Sequence, residues 1–238
     1  MNSYDRKYEV VFKKTTLFLV GLIIIDIVFL ILHVFYSVDI LDNKKFKMSY
    51  DGGYGEIYQY VKFLSATVIL FFLAKNYKSK LLFFWSLLAF FLFLDDWMRF
   101  HETIGGQVLG GFMKPFMKGS YHQGQIIYGV IVALFICYIG WLSWRRSSVK
   151  IRKLSNSLLA AIGLLWFSAV IVDYIHALWI SKDYNLPGVL LEEGGEHVAV
   201  SLFLWCCIVA LIDILKTRKN NCPGEVSGLI ENKKINSL

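Results

Sequence analysis

Six long apolar segments, separated by short polar stretches, constrain the fold of this chain more than any other feature of its sequence. A helix that crosses a bilayer needs about 20 predominantly apolar residues, and each segment meets that requirement. The predicted fold is therefore an all-α membrane protein, a bundle of six transmembrane helices. The predicted spans are residues 15–37, 57–76, 80–101, 125–144, 154–179 and 190–215.

Lysine and arginine are distributed unevenly between the two ends of these spans. With the N-terminus inside, 17 of the 25 basic residues fall on the cytoplasmic side and 6 fall in the outer loops. Basic residues favour the cytoplasmic side, so both termini are predicted to be cytoplasmic. The net charge of +7 then reflects topology and not a nucleic-acid-binding surface. We expect a bacterial inner membrane location, with membrane lipids and either a second copy or another membrane subunit as partners.

The predicted organisation is a cytoplasmic N-terminal segment (1–14), one six-helix domain (15–216) and a disordered cytoplasmic tail (217–238). A chain of 238 residues that is 56% hydrophobic suits a single helical bundle. No small-residue cleavage site follows the first apolar run, which is therefore expected to remain as a span. The four cysteines are expected to be reduced thiols, because three lie inside apolar runs and one lies in the tail.

Glycine pairs mark the second predicted outer loop, residues 103–124. The pairs Gly105-Gly106 and Gly110-Gly111 are typical of a mobile lid, a shallow re-entrant segment or a flexible linker. The first outer loop, residues 38–55, contains the turn-forming run 51–53, and the third, residues 180–189, contains a Pro-Gly pair.

Ionisable side chains concentrate at the outer ends of the predicted spans. Such groups are costly in hydrocarbon, so a cluster of them in one leaflet indicates a functional site. The topology assigns all five histidines and eight carboxylates to this side. They are His33, His101, His122, His176, His197, Glu56, Asp95, Asp96, Glu102, Asp173, Glu192, Glu193 and Glu196.

Carboxylate and histidine side chains one helical turn apart are typical of di-metal sites in helical bundles. Asp173 and His176 have the i, i+3 spacing, and Glu193 and His197 have the i, i+4 spacing. Eight carboxylates face two fixed cations, so some must be protonated, paired with histidine or bound to a divalent metal, for which zinc, iron or manganese is suitable. The predicted metal ligands are His101, His176, His197, Glu193, Glu196, Asp96, Asp173 and Glu56.

Residues outside this ligand set also receive predicted roles. Asp95, Arg99 and Glu102 have i, i+4, i+7 spacing and are expected to share one helix face, with Glu102 as a general base and Arg99 as a clamp for an anionic group. Lys62 is expected to extend outward to the interface. Asp26 lies near the bilayer centre, where it is expected to hydrogen-bond another helix while protonated or to belong to a proton path.

A purely structural interpretation competes with these assignments. Carboxylates at helix ends are often hydrated, and acidic residues in the first turns of the sixth helix favour the positive end of its dipole. Under this interpretation the cluster is a solvated surface. His33 and His122 are in either case expected to be interfacial side chains and not ligands.

Three segments resemble those of uncharacterised bacterial multi-span membrane proteins with DDxxxxHExxG and EEGGE motifs. Residues 94–105 read LDDWMRFHETIG, residues 191–196 read LEEGGE, and residues 52–62 read GGYGEIYQYVK. This resemblance implies membership of that group and no particular activity. The alkaline ceramidase superfamily uses a His-x3-His pair, and the CAAX-type membrane proteases use Glu-Glu-x3-Arg; the chain lacks both motifs.

Three functions fit the sequence. The first is a metal-dependent enzyme, a hydrolase or an oxidase, that acts on a lipid or a membrane-proximal substrate from the outer side. The second is a proton-coupled transporter or channel, in which Asp26 and the outer cluster act as relay points. The third is a non-enzymatic sensor or accessory subunit that responds to pH or to a divalent ion.

Overall fold

Six helical spans, each long and apolar enough to cross a bilayer, make up the architecture. The computed structural model describes residues 3–115, 120–175 and 185–221, and within these ranges the chain forms helices and no strand. The all-α six-span prediction is confirmed. The spans are Thr15–Ser37, Tyr54–Tyr77, Lys80–Met98, Ser120–Arg145, Val149–Ile175 and Leu186–Leu215.

Several of the helices differ in extent from the spans that they contain. One of them, α6, continues directly into a π-helical segment, and a second π-helical segment leads into α4; in both, the backbone bonds run from i to i+5. The elements are α1 (Ser3–Ser37), a 3₁₀ turn (Lys44–Phe46), α2 (Tyr54–Tyr77), α3 (Lys80–Met98), π1 (His101–Leu109), α4 (Gly110–Met113), α5 (Ser120–Arg145), α6 (Val149–Trp166), π2 (Phe167–Val172) and α7 (Asn185–Asn221).

The α2–α3 hairpin forms the centre of the bundle. Lys78 ends α2 in the left-handed conformation at φ 48°, and the Ser79 side chain caps α3 by accepting a hydrogen bond from Leu82 N at 3.4 Å. Such a short connection forces the two helices to run antiparallel as neighbours. Against them pack α6 and α7, whose buried side chains include Leu158 and Phe203.

Polar contacts supplement the apolar packing between the central helices. Trp85 Nε1 donates a hydrogen bond to Ser155 Oγ at 2.8 Å, which connects α3 to α6. Ser86 Oγ donates to the Thr67 carbonyl oxygen at 2.9 Å, which connects α3 to α2. These two hydrogen bonds satisfy the Trp85 indole and the Ser86 hydroxyl within the bundle, as a low-dielectric environment favours.

The outer end of α3 departs from the sequence prediction. The helix ends at Met98, and Arg99 adopts the left-handed conformation at φ 53°. The predicted common helix face of Asp95, Arg99 and Glu102 is therefore wrong, because one left-handed residue redirects the chain before Glu102. The chain then enters π1 and α4, so most of the predicted loop 103–124 is helical, with residues 116–119 outside the described part.

Glycines in this segment allow close packing against α5. A Cβ atom at Gly124 would meet the backbone of Gly105 and Gly110, and a Cβ at Gly106 would meet the Tyr121 ring. The glycines are thus required for the approach of two backbones. This role differs from the flexible role that their spacing suggested.

Parts of the predicted domain organisation lie outside the described residues. His176 and half of the third predicted loop fall within 176–184, and most of the predicted tail falls within 222–238. α7 continues to Asn221, past the predicted start of the disordered tail at residue 217. The N-terminal segment also contributes to a helix, since α1 starts at Ser3.

Candidate functional site

A cavity of about 620 Å³ lies among α2, α3, π1, α5, α6, π2 and α7. Ligand sites in proteins typically have volumes of about 300–1,000 Å³. With the exception of His176, which is outside the described residues, every predicted catalytic or metal-ligating residue lines this cavity. They are Glu56, Asp96, Arg99, His101, Glu102, Asp173, Glu193, Glu196 and His197.

Asp95 holds His101 in place at the cavity wall. Asp95 Oδ2 lies 3.3 Å from His101 Nδ1, and Asp95 Oδ1 accepts a hydrogen bond from the Tyr128 hydroxyl at 2.8 Å. When Nδ1 donates to the carboxylate, the lone pair of the neutral imidazole lies on Nε2. In this arrangement a carboxylate orients the histidine ring and leaves Nε2 available to bind a metal or to accept a proton.

The same carboxylates set the charge of His101. Burial lowers the pKa of His101, but the hydrogen bond with Asp95 and the negative charges of Asp95, Asp96 and Glu102 outweigh burial and raise the pKa above its usual value of 6.5. A histidine with a raised pKa in the folded state stabilises that state when it is protonated. This contribution is complete below about pH 6.5 and disappears as the pH rises through the raised pKa.

We therefore expect the loss of thermal stability in His101→Gln to be larger at pH 6 than at pH 9. Glutamine is polar but cannot be protonated, so the variant loses the pH-dependent stabilisation that the protonated histidine provides. Melting curves of the wild type and the variant in detergent at both pH values measure the difference. An equal loss at both pH values would contradict the raised pKa, and His33→Gln, which replaces a histidine distant from these carboxylates, serves as the control.

Glu56 is held by hydrogen bonds from two directions. Its carboxylate accepts from the backbone N–H of Gly52 and from the hydroxyl of Tyr60. Gly52 has a φ of 72°, the left-handed conformation that glycine adopts without strain. Glu56 therefore ties the first outer loop to the cavity rim.

Arg99 forms an ion pair with Asp51 of the first outer loop. Both side chains are exposed, at 41% and 55%, so the pair lies at the mouth of the cavity. Sequence reasoning did not include Asp51 in the site, although the Asp-Gly-Gly run marked its position. The role of Arg99 as an anion clamp stays a prediction, and its guanidinium already has a carboxylate partner.

Three acidic residues, from α3 and α7, form another part of the cavity wall. Asp96, Glu193 and Glu196 lie within electrostatic range of one another, and Gln59 hydrogen-bonds Glu196. Carboxylates that cluster away from bulk water do not all remain ionised without a proton, a cationic side chain or a metal ion beside them. This wall therefore needs protons, cationic side chains or a bound cation to offset its negative charge.

His122 and Asp173 meet across the cavity between α5 and the segment after π2. The distance from His122 Nδ1 to Asp173 Oδ2 is 3.8 Å, and Nδ1 makes no hydrogen bond to any part of the chain that the structure describes. Both side chains line the cavity. They form a second carboxylate–histidine pair, with a longer N···O distance than the 3.3 Å between Asp95 and His101.

A buried ion-pair network lies beneath this cavity, formed by Asp26, Lys62, His197 and Ser201. Lys62 Nζ lies 2.9 Å from Asp26 Oδ1, 2.9 Å from the His197 carbonyl oxygen and 3.2 Å from Ser201 Oγ. Ser201 Oγ donates to Asp26 Oδ2 at 2.6 Å. None of the four residues exceeds 1% exposure.

The expectation that Lys62 extends outward is wrong, because Asp26 in α1 attracts the ammonium group inward.

His197 connects this network to the cavity. Its Nδ1 lies 3.4 Å from Asp26 Oδ1, an electrostatic contact without hydrogen-bond geometry, and its ring stacks on Tyr58 with centroids 6.2 Å apart. At the other end of the ring, a Cβ atom at Gly55 would lie 3.5 Å from Nε2. His197 thus packs within the network, and only its Nε2 edge remains for the ligand role that the sequence predicted.

His33 has a structural role. Its Nδ1 accepts a hydrogen bond from Met48 N at 3.2 Å, and the residue is 3% exposed. An accepting Nδ1 carries no proton. Because Met48 belongs to the first outer loop, this hydrogen bond anchors that loop to α1. It is a buried anchor and not the interfacial side chain that was expected.

Within residues 3–115, 120–175 and 185–221, no group of three or more His, Cys, Asp or Glu side chains is arranged to hold a metal ion. The carboxylates and His101 share a cavity, yet their side chains would have to converge further to enclose a cation. Carboxylate oxygens and imidazole nitrogens are ligand types that bind divalent metals. In their present positions, however, these side chains are not grouped closely enough to ligate one ion together.

Comparison with protein families assigns the chain to one of them. The family model described as "Domain of unknown function (DUF8692)" matches residues 22–212, and the chain belongs to this family. The matched range contains every residue that lines the cavity. No curated protein and no solved structure matches the sequence.

Proposed function

We propose that this member of the DUF8692 family is a metal-dependent membrane enzyme that acts on a lipid or another membrane-proximal substrate. The observation that carries the proposal is a single cavity. Carboxylates and His101 from separate helices line one part of it, and apolar side chains line the adjoining part. Polar groups that converge at one end of an apolar cavity are characteristic of small-molecule and substrate sites. The basic-residue distribution of the sequence supports a site in the outer half of a bacterial inner membrane.

We assign different roles in metal binding to the residues of the cavity. Asp96, Glu193 and Glu196, together with the Nε2 atom of His101, are the ligands that best suit a divalent metal such as zinc, iron or manganese. Asp95 orients His101 through Nδ1. A divalent cation supplies Lewis-acid polarisation of an ester, amide or phosphate oxygen.

Two further residues of the predicted ligand set also lie on the cavity wall. Glu56 and Asp173 line the cavity and offer further oxygen ligands. Glu102, which lies in π1 immediately after His101, would accept a proton as the general base. A π-helical turn at this point is consistent with function, since such turns occur frequently at functional sites.

Metal content tests the proposal directly. We expect detergent-purified wild-type protein to retain about one divalent metal per chain, and the double variant Glu193→Gln/Glu196→Gln to bind it roughly tenfold more weakly or worse. Elemental mass spectrometry after dialysis measures both. Asp213→Asn is the matched control, because it makes the same change on the same helix, α7, in a residue that pairs with Lys150 at 2.5 Å, away from the cavity.

The opposite result has a clear meaning. Folded wild-type protein that retains less than about a tenth of a metal per chain would contradict a resident catalytic metal. Such a result would favour a proton-coupled transporter, for which the buried network of Asp26, Lys62, His197 and Ser201 offers a relay beneath the cavity.

A further inference from the structure

The cavity has an apolar arm that leaves the carboxylates and runs between α3, α5 and α6. Its walls there are mainly aliphatic, with Leu88 on α3, Ile136 on α5 and Leu159 on α6. Along α5 the lining extends from His122 to Cys137, a separation of roughly 22 Å on a helix. One leaflet of the hydrocarbon core is about 15 Å thick, so the arm is deep enough for one hydrocarbon chain.

The arm borders the least buried helix of the bundle. Within α5, which is described throughout, Gly124 is the only buried residue. Gly163 and Cys137 line the arm and are exposed, and a Cβ atom at Gly163 would meet no atom within 4 Å. The gap beside α5 therefore opens sideways, in the direction from which a membrane lipid would enter.

The polar end of the cavity is strongly acidic. Among the described residues that line the cavity, nine are Asp or Glu, and Arg99 is the only Lys or Arg. Arg99 is itself paired with Asp51. Even with one divalent cation bound, acidic side chains outnumber the positive charges at this end. An anionic headgroup would therefore meet repulsion, whereas an ammonium group would find carboxylates beside it.

We propose that this cavity binds an amine-bearing lipid of the outer leaflet, with its ammonium group among the carboxylates and one hydrocarbon chain in the arm between α3, α5 and α6. The inference rests on the proposed function and names the substrate class for the same site. Lipid binding follows from the shape and charge of the cavity, and it requires neither a metal nor turnover.

Photolabelling with a defined lipid tests the proposal. The probe is phosphatidylethanolamine with a diazirine in one acyl chain, added to the full-length purified protein with and without EDTA. We expect labelled peptides from α5 and α6 in both conditions. Phosphatidylglycerol with the same labelled chain, which lacks the amine and is anionic, is expected to label these peptides about tenfold less.

Gly163→Phe tests whether the chain lies in the arm. The phenyl ring enters open space beside Gly163 and occupies the volume of several methylene groups, so labelling is expected to fall about tenfold or more. Gly21→Phe is the matched control, because a Cβ at Gly21 also meets nothing within 4 Å and Gly21 does not line the cavity. Equal labelling by the two lipids, or labelling that Gly163→Phe does not reduce, would overturn the proposal.

A second measurement needs no change in the arm. Cys137 is exposed, whereas Cys206 and Cys207 are more buried, so in a Cys222→Ser background Cys137 is the most accessible thiol of the described residues. Phosphatidylethanolamine is expected to slow alkylation of Cys137 by N-ethylmaleimide several-fold, and phosphatidylglycerol is not. Because neither assay depends on bound metal, a negative result here leaves the metal experiment standing, and a failed metal experiment leaves this one standing.

Discussion

Replacing Asp26 with alanine is expected to destabilise the protein by about 3–5 kcal/mol, because the substitution leaves the Lys62 ammonium group buried without its counter-charge. Lys62 is 1% exposed, and Asp26 is its only carboxylate partner among the described ion pairs. Equilibrium unfolding in detergent, or the melting temperature, measures the effect. The loss should be accompanied by release of α1, since Asp26 links α1 to α2 and α7.

Two further variants show whether the cause is the unpaired charge. The double variant Asp26→Leu/Lys62→Met removes both charges at similar volume and is expected to recover most of the lost stability. Asp213→Ala breaks the Lys150–Asp213 pair, whose side chains are 59% and 34% exposed, and should cost no more than about 1 kcal/mol. If Asp26→Ala were as mild as Asp213→Ala, the buried ion pair would have no stabilising role.

The second large effect is expected for Gly124→Ala, which should destabilise the protein by about 1–3 kcal/mol or more. The added methyl group meets the backbone of Gly105 and Gly110, which cannot move away as a flexible side chain can. Because π1 carries His101 and Glu102, the substitution should also displace those two residues. Thermal unfolding measures the stability, and metal retention reports on the site.

Gly111→Ala provides the matched control for this packing argument. A Cβ atom at Gly111 meets no atom of the described residues within 4 Å, so the substitution is expected to be neutral or to stabilise the helix by up to about 1 kcal/mol. A similar loss in both variants would indicate that glycine flexibility, and not close backbone approach, is what this segment requires.

The sequence predicted the six spans because long apolar runs are a direct consequence of the bilayer's thickness. It also placed the carboxylates and histidines at one end of the bundle, and the described residues of that set, except His33, line one cavity. It did not predict the end of α3, because the left-handed conformation of Arg99 is not encoded by glycine or asparagine. The packing of Gly105 and Gly110 on Gly124 depends on which segments become neighbours, and local sequence carries no signal for that.

Partner assignments within the site were harder to predict than its position. Lys62 and Asp26 are 36 positions apart, and their pairing requires that α1 pack beside α2 and α7. Their opposite charges within neighbouring spans were the available signal. Tyr60 and Tyr128, which donate hydrogen bonds to Glu56 and Asp95, carry no charge and gave no signal at all.

The Asp26–Lys62 pair has an electrical consequence for a protein in an energised membrane. Moving one elementary charge through 100 mV is worth about 2.3 kcal/mol, so an isolated ion at this depth would feel the membrane potential. The two charges lie only 2.9 Å apart, and the field pulls them with nearly equal and opposite forces. The pair that holds α1 in place therefore carries no net charge on which the membrane potential can act, whereas a protein that lost either partner would keep one buried charge subject to that potential.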